Sequence, residues 1–177
     1  MIQLRQFGHG RMPCVTIAVM GLSFATGVPA ANPETIPVRV TFVDPIAISE
    51  ANALEFGSVD QNLASSESVI VAPDSTVTDP AGRVEAGPQA AANLTITATP
   101  GRAITIQVES VDPGAGYTLA DFQCNYNSGA DASCDGSGYS EISTASGTLN
   151  VGATLTGDGT ATSGAADGSF DVTITYQ

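Results

Sequence analysis

The stretch NLTITATPGRAITIQV, Asn93 to Val108, carries the clearest fold signal in the chain. Apolar and polar residues alternate on both sides of Pro100 and Gly101. A period of two places every second side chain on the same face of an extended strand. The stretch therefore predicts a β-hairpin with its turn at Pro100-Gly101. In this hairpin one apolar row faces another, and the two rows are Leu94, Ile96, Ala98 and Ile104, Ile106, Val108.

Similar short runs recur along the chain between Gly, Pro and Asp residues, and no run has the apolar period of a helix. This pattern predicts an all-β fold of about seven to nine strands, which suits a sandwich or a barrel. The predicted strands are Ile36 to Val43, Ala53 to Val59, Ser68 to Ala72, Arg83 to Ala86, Asn93 to Thr99, Ala103 to Val108, Tyr117 to Cys124, Gly147 to Leu155 and Gly168 to Tyr176.

Met1 to about Ala30 has the three parts of a secretory signal peptide. Arg5 and Arg11 give a basic start, Val15 to Phe24 form an apolar run, and small residues precede the expected cleavage after Ala30. The apolar run is too short for a membrane-spanning helix, which needs about 20 residues. We expect export to the periplasm, the cell surface or the extracellular space, with residues 31–177 forming a single β-sandwich domain.

The exported domain is strongly acidic. After cleavage three arginines, Arg39, Arg83 and Arg102, remain against eighteen acidic residues, and the chain has no lysine, so the formal charge is −15. Such a charge excludes nucleic acid and anionic membrane surfaces as natural partners. We expect no nucleic-acid partner and no membrane insertion after signal cleavage.

Cys124 and Cys134 bracket nine residues that are rich in turn formers. In an exported protein this spacing predicts a disulfide, here one that closes an exposed loop. A zinc site needs more thiolates or histidines. Cys14 and the single histidine, His9, both leave with the signal peptide.

The exported chain has few residues that could carry out catalysis. With histidine, lysine and a free thiol all missing, the usual bases and nucleophiles are absent. We predict that the protein is not an enzyme and binds no cofactor. Calcium remains open, because Asp158 and Asp167 share one Gly-rich loop and Asp131 and Asp135 share another. Ordinary acidic turns explain these loops as well, since neither has EF-hand spacing.

Three signatures in order give the chain a family resemblance. TFVDPIAISEANALEFGSV (41–59), GTLNVGATLTG (147–157) and GSFDVTITYQ (168–177) resemble the bacterial secreted family called domain of unknown function 4402. ITATPGRAITIQV fits the middle hairpin of that family. The resemblance implies an immunoglobulin-like antiparallel β-sandwich, exported by a Gram-negative bacterium, with no established activity. It also implies a likeness to pilin-type and spore-coat-type surface proteins.

The closing strand extends this likeness to fibre subunits. Chaperone–usher subunits end in an alternating apolar strand with a penultimate tyrosine and a glycine fourteenth from the end. Here the matching residues are Gly164, Phe170, Val172, Ile174 and Tyr176. The resemblance implies that this strand contacts a periplasmic chaperone or a partner subunit.

Fibre subunits also receive one missing strand from a neighbour's N-terminal extension. The segment IPVRVTFV is the candidate assembly strand, with Ile36, Val38, Val40 and Phe42 on one face. Alternatively, Ile36 to Val43 form the protein's own first strand. Two functions therefore remain open: a surface or fibre subunit whose partners are itself or other subunits, and a monomeric extracellular binding module with a self-complete sandwich. In the second case the loops 125–133 and 157–169 are candidate contact surfaces.

Overall fold

A computed structural model describes residues 37–177 of the chain. The predicted signal peptide and Ile36 of the candidate assembly strand lie outside the described residues. Thr41 to Gln177 form one compact unit, which contains every strand described below. Residues 37–177 form no helix, and thus none that is long and apolar enough to span a membrane.

The compact unit is all-β, as the alternating runs predict. Its twelve strands are β1 (Ala47–Asn52), β2 (Ser58–Val59), β3 (Ser68–Val71), β4 (Val77–Thr78), β5 (Val84–Ala86), β6 (Ala92–Thr97), β7 (Ala103–Asp112), β8 (Tyr117–Tyr126), β9 (Ala132–Ser133), β10 (Tyr139–Ile142), β11 (Gly147–Gly157) and β12 (Ser169–Tyr176). Three of them have only two residues, so nine strands have three or more. The sequence does not reveal β1, β4, β9 and β10.

The strands form two main antiparallel sheets. The larger sheet has seven strands in the order β1-β6-β11-β3-β4, with β8 and β9 on the other edge of β11. The smaller sheet has the order β10-β7-β12, and β2 with β5 makes a separate two-stranded ribbon. β6 and β3 share one edge of β11 end to end, because β6 pairs with Gly147–Val151 and β3 with Ala153–Thr156.

The core lies between the larger and the smaller sheet. Ile96 and Leu149 of the larger sheet and Ile104 and Ile106 of the smaller sheet are fully buried. Each such side chain contributes about 1.5–3 kcal/mol when it is removed from water. The ring of Phe122 on β8 also crosses the layer, with its centroid 5.1 Å from that of Phe170 on β12. These contacts make the fold an antiparallel β-sandwich.

The predicted hairpin at Asn93–Val108 is wrong in its pairing. β6 belongs to the larger sheet and β7 to the smaller one, so the chain changes sheet at Pro100-Gly101. The two apolar rows still face each other, but across the core rather than within one sheet. The buried Ser143 holds this corner, because its hydroxyl group donates to the carbonyl group of Thr99 (2.6 Å) and accepts a hydrogen bond from the N–H of Arg102 (3.1 Å).

The predicted first strand is also wrong for the part that the structure describes. Residues 37–46 form no strand, and the first strand of the described residues is β1, from Ala47 to Asn52. The expected strand at Ala53 to Val59 shrinks to β2, with one isolated bridge between Glu55 and Ala90. β1 could not be recognised in the sequence, because backbone pairing to β6 forms this strand and all six of its residues are exposed.

Candidate interaction cleft

The C-terminal strand β12 lies at the edge of the smaller sheet. It pairs with β7 on one side, and no described residue pairs with its other side. Its apolar row points to the core as predicted: Ile174 is buried, and Phe170, Val172 and Tyr176 are partly buried against the core. An edge strand of eight residues leaves a row of backbone N–H and C=O groups free to pair with another chain.

The edge strand of the larger sheet is uncovered on its inner face. Ile48 and Glu50 of β1 lie opposite Ile96 and Leu94 of β6, and residues directly opposite each other share a face. Ile96 and Leu94 are buried in the core, so Ile48 and Glu50 point to the same side of the sheet. Ile48 is nevertheless 40% exposed. The smaller sheet ends at β12 and does not extend over β1.

An open cleft of about 1450 Å³ occupies this gap. It follows the inner face of β1 and the first half of β12, and the loops 53–61 and 161–168 bound it. Apolar side chains line it, namely Ile48, Leu54, Phe56, Leu94, Leu119, Leu155, Phe170 and Val172. All its charged lining residues are acidic, namely Glu50, Glu55, Asp60, Glu85, Asp167 and Asp171. The cleft therefore favours an extended apolar occupant that carries positive charge.

Tyr117 holds the loop that closes one end of the cleft. Its hydroxyl group donates to the carbonyl oxygen of Ala166 at 3.2 Å. Burial raises the pKa of Tyr117 above its ordinary value, and the charges of Asp167 and Asp112 raise it further. Gly164 lies in this same loop, at a φ of 136° and in open space, and not on β12.

Tyr176 has a role inside the domain that the sequence did not indicate. Its hydroxyl group accepts a hydrogen bond from the backbone N–H of Thr99 (2.7 Å) and donates one to the carbonyl of Asp44 (2.9 Å). The N–H of Asp44 in turn donates to the Thr99 hydroxyl at 2.6 Å. The end of β12 thus anchors both the corner between the sheets and the chain just before β1.

The disulfide between Cys124 and Cys134 is present, with a Cα–Cα distance of 5.7 Å. The loop that it closes is exposed at residues 127–131, as predicted, while both cysteines are fully buried in the core. The N–H of Cys134 donates to Phe122 in the larger sheet, and its carbonyl accepts from Val108 in the smaller sheet. The disulfide therefore lies where the chain passes from one sheet to the other.

The acidic loops use their carboxylates for local hydrogen bonds. Asp158 accepts from the N–H and the hydroxyl of Thr160, both at 2.7 Å, and these bonds lower its pKa. Asp131 accepts from the Asn125 amide at 2.8 Å. Asp135 accepts from the N–H of Phe122 at 3.0 Å, while burial raises its pKa. Within residues 37–177 no three His, Cys, Asp or Glu residues come together as a metal-binding group.

The match to a protein family covers almost all of this architecture. No curated protein matches the chain. The model of the family described as Domain of unknown function (DUF4402) matches residues 46–176, from just before β1 to the end of β12. Both edge strands and the whole cleft lie within that match. The chain therefore belongs to the DUF4402 family.

Proposed function

We propose that this protein is an exported, non-enzymatic structural subunit of a bacterial surface assembly that polymerises by strand complementation. In this assembly the N-terminal segment of one copy fills the cleft of the next copy. One observation carries the proposal: β1 and β12 are edge strands of different sheets that line the same open cleft, and Ile48 on the inner face of β1 is 40% exposed. The immunoglobulin-like and pilin-like features implied by the family resemblance belong to the same proposal.

A single added strand suits this cleft. A strand paired with the free edge of β12 would lie about 4.7–4.9 Å from β12, in the cleft that Ile48 also lines, and would cover Ile48. Its backbone would pair with the free edge of β12, and alternate side chains would enter the cleft. It would also cover Phe170 and Val172, which are now only partly buried.

The chain itself contains a suitable occupant. Val38, Val40 and Phe42 alternate with polar residues, and they are 87%, 67% and 90% exposed. The eight residues 36–43 span about 26 Å when extended, which is the length of the eight-residue β12. Large apolar side chains at this exposure are costly in water unless a partner covers them.

The test compares the assembly state of full-chain variants by size exclusion with light scattering. The wild type is expected to form oligomers, and V38D/V40D is expected to be monomeric because charges cannot enter the apolar cleft. Ile142→Asp is the matched control: Ile142 is 58% exposed on β10, at the opposite edge of the smaller sheet, and its variant should assemble normally. Far-UV circular dichroism checks that all three fold.

Two results contradict the proposal. One is a wild type that stays monomeric at every concentration, and the other is a V38D/V40D variant that assembles like the wild type. The first result favours the alternative function, a monomeric extracellular binding module that uses the cleft for a ligand. The acidic lining supports that alternative, because it selects for a cationic ligand.

A further inference from the structure

We propose that Arg39 of the inserted segment pairs with Asp171 of the receiving copy and so fixes the register of the added strand. This inference rests on the proposed function. To the proposed function it adds Arg39 as the residue that decides which of several possible registers the added strand adopts. A strand with period-two apolar side chains can otherwise slip by two residues and still place apolar groups in the cleft.

Asp171 lies opposite a second carboxylate in the smaller sheet. It carries the only charge on β12 and is exposed at the rim of the cleft, where it alternates with the partly buried Phe170 and Val172 and so lies on the other face of the strand. Its neighbour directly opposite on β7 is Glu109, a second carboxylate. Like charges at directly opposite positions destabilise a strand pair. Both ion pairs formed by residues 37–177 involve Arg83, so neither carboxylate has a cationic partner in this part of the chain.

The inserted segment carries the complementary charge at the right position. Arg39 is the only charged residue of IPVRVTFV and lies between Val38 and Val40. When these two valines enter the cleft, Arg39 points to the outer face, which is also the face of Asp171. Cβ atoms at directly opposite positions are about 4.5–5.5 Å apart, so the long Arg39 side chain can reach both carboxylates.

The register set by this pair also matches the apolar rows. With Arg39 opposite Asp171, Val38 and Val40 lie beside Phe170 and Val172 in either strand direction. A shift by two residues keeps the apolar row in the cleft but leaves the two carboxylates without a cation. A shift by one residue turns Val38 and Val40 to the outer face and leaves the apolar lining of the cleft uncovered.

Engineered cysteines test the register directly. In the full chain, Thr41 lies two residues after Arg39, so it should lie opposite Ser169 if the strands are antiparallel and opposite Thr173 if they are parallel. A copy with Thr41→Cys is mixed with copies that carry Ser169→Cys, Thr173→Cys or Thr175→Cys and is oxidised. A disulfide needs Cα atoms about 4.4–6.8 Å apart, so diagonal positions about 7–8 Å apart should not react.

We expect an intermolecular crosslink with position 169 or position 173 and none with position 175. A crosslink with position 175, or persistent oligomers that give no crosslink at 169 or 173, would overturn the register while the assembly itself stands. The absence of oligomers from the wild type, which lacks the engineered cysteines, would overturn the proposed function instead. The native disulfide does not interfere, because Cys124 and Cys134 are buried.

Charge reversal gives an independent readout. Arg39→Asp in the inserting copy, or Asp171→Arg in the receiving copy, should each lower the association constant about fivefold, the upper range for an exposed ion pair. Both reversals in one chain, R39D/D171R, should restore it, because every interface then contains the reversed pair. If each reversal leaves the association constant unchanged, or if the combination fails to restore it, Arg39 and Asp171 do not form the pair.

Discussion

The hydroxyl group of Tyr176 lies 2.9 Å from the carbonyl oxygen of Asp44, although 132 residues separate them in the chain. The same hydroxyl group accepts from the N–H of Thr99, in the corner between β6 and β7. One side chain at the end of β12 therefore joins three distant parts of the compact unit. It fixes the chain at the point where residues 37–43 lead into the domain.

Replacing Tyr176 with Phe should lower the free energy of unfolding by about 1–2 kcal/mol, because two hydrogen bonds are lost while the ring still packs. Tyr117→Phe is the matched control. Its hydroxyl makes a single bond, at 3.2 Å, to an exposed loop, so the loss should be smaller. Urea unfolding monitored by circular dichroism measures both. An equal effect of the two substitutions would contradict the anchoring role of Tyr176.

The disulfide should stabilise the fold strongly and resist reduction. The double substitution Cys124→Ala and Cys134→Ala should lower the free energy of unfolding by about 3 kcal/mol, the value expected for a loop of this length. Because both cysteines are fully buried, reductant should reach them only when the domain opens. Thiol alkylation after reductant is added, followed by mass spectrometry, measures the rate. Rapid alkylation of the folded protein would show that the sulfur atoms are accessible.

The side chain of Arg83 should make stability depend on acid pH. It donates to both oxygens of Glu67 (2.8 and 2.9 Å) and to Asp60 (3.0 Å). The hydrogen bonds from Arg83 lower the pKa of Glu67 below its ordinary value of 4.5. At Asp60 the backbone N–H of Asn62 is the main cause of a lowered pKa, and Arg83 adds to it.

A lowered carboxyl pKa stabilises the folded state above the unfolded pKa, and this contribution is lost as the pH falls through the folded pKa. Arg83→Gln should therefore be less stable than the wild type at pH 7, and the two should converge as the pH falls below about 4.5. Arg102→Gln removes an equal charge that forms no ion pair within residues 37–177. The difference in stability between this variant and the wild type should therefore stay constant as the pH falls. Thermal unfolding across pH 2.5–7 measures this, and a constant difference for Arg83→Gln would contradict it.

The sequence predicts which face of a strand is buried much better than it predicts strand pairing. The inward rows of β6, β7 and β12 follow directly from alternation, because burial of a side chain depends on its own polarity. Pairing depends on distant partners, so the same rows at Asn93–Val108 fit a hairpin and a sheet-to-sheet corner equally well. In the structure five residues, 98–102, separate β6 from β7 and exceed the two of a tight hairpin, but the predicted strand bounds left only three.

The cleft could not be predicted, since it follows from the difference in width between two sheets. One of its walls, β1, carries no apolar alternation that would mark it as a strand. The other wall, β12, is clear from the sequence, but its position at a sheet edge is a property of the topology. The partner residues of Tyr176 are likewise too distant in the chain to be recognised from local patterns.

The larger sheet depends on a glycine in the middle of β11. Along β11, pairing with β6 ends at Val151 and pairing with β3 begins at Ala153. The chain that leaves β3 after Val71 therefore passes directly over Gly152, the residue between them. A Cβ atom at Gly152 would lie 2.7 Å from the carbonyl carbon of Ala72 and 2.8 Å from the nitrogen of Pro73. These are backbone atoms of the turn after β3, which is closed by hydrogen bonds of Ala72 with Ser75 and Thr76, so they cannot move away as a flexible side chain would.

Gly152→Ala should therefore separate β3 from β11 and lower the free energy of unfolding by about 1–3 kcal/mol, the usual cost of overpacking a core. Thr148→Ala is the control on the same strand: its side chain is exposed, and the change should stay within about 0.5 kcal/mol. Hydrogen exchange should show faster exchange in Ser68–Val71 for Gly152→Ala alone. If both variants unfold like the wild type, the close approach at Gly152 does not constrain how β6 and β3 share the edge of β11.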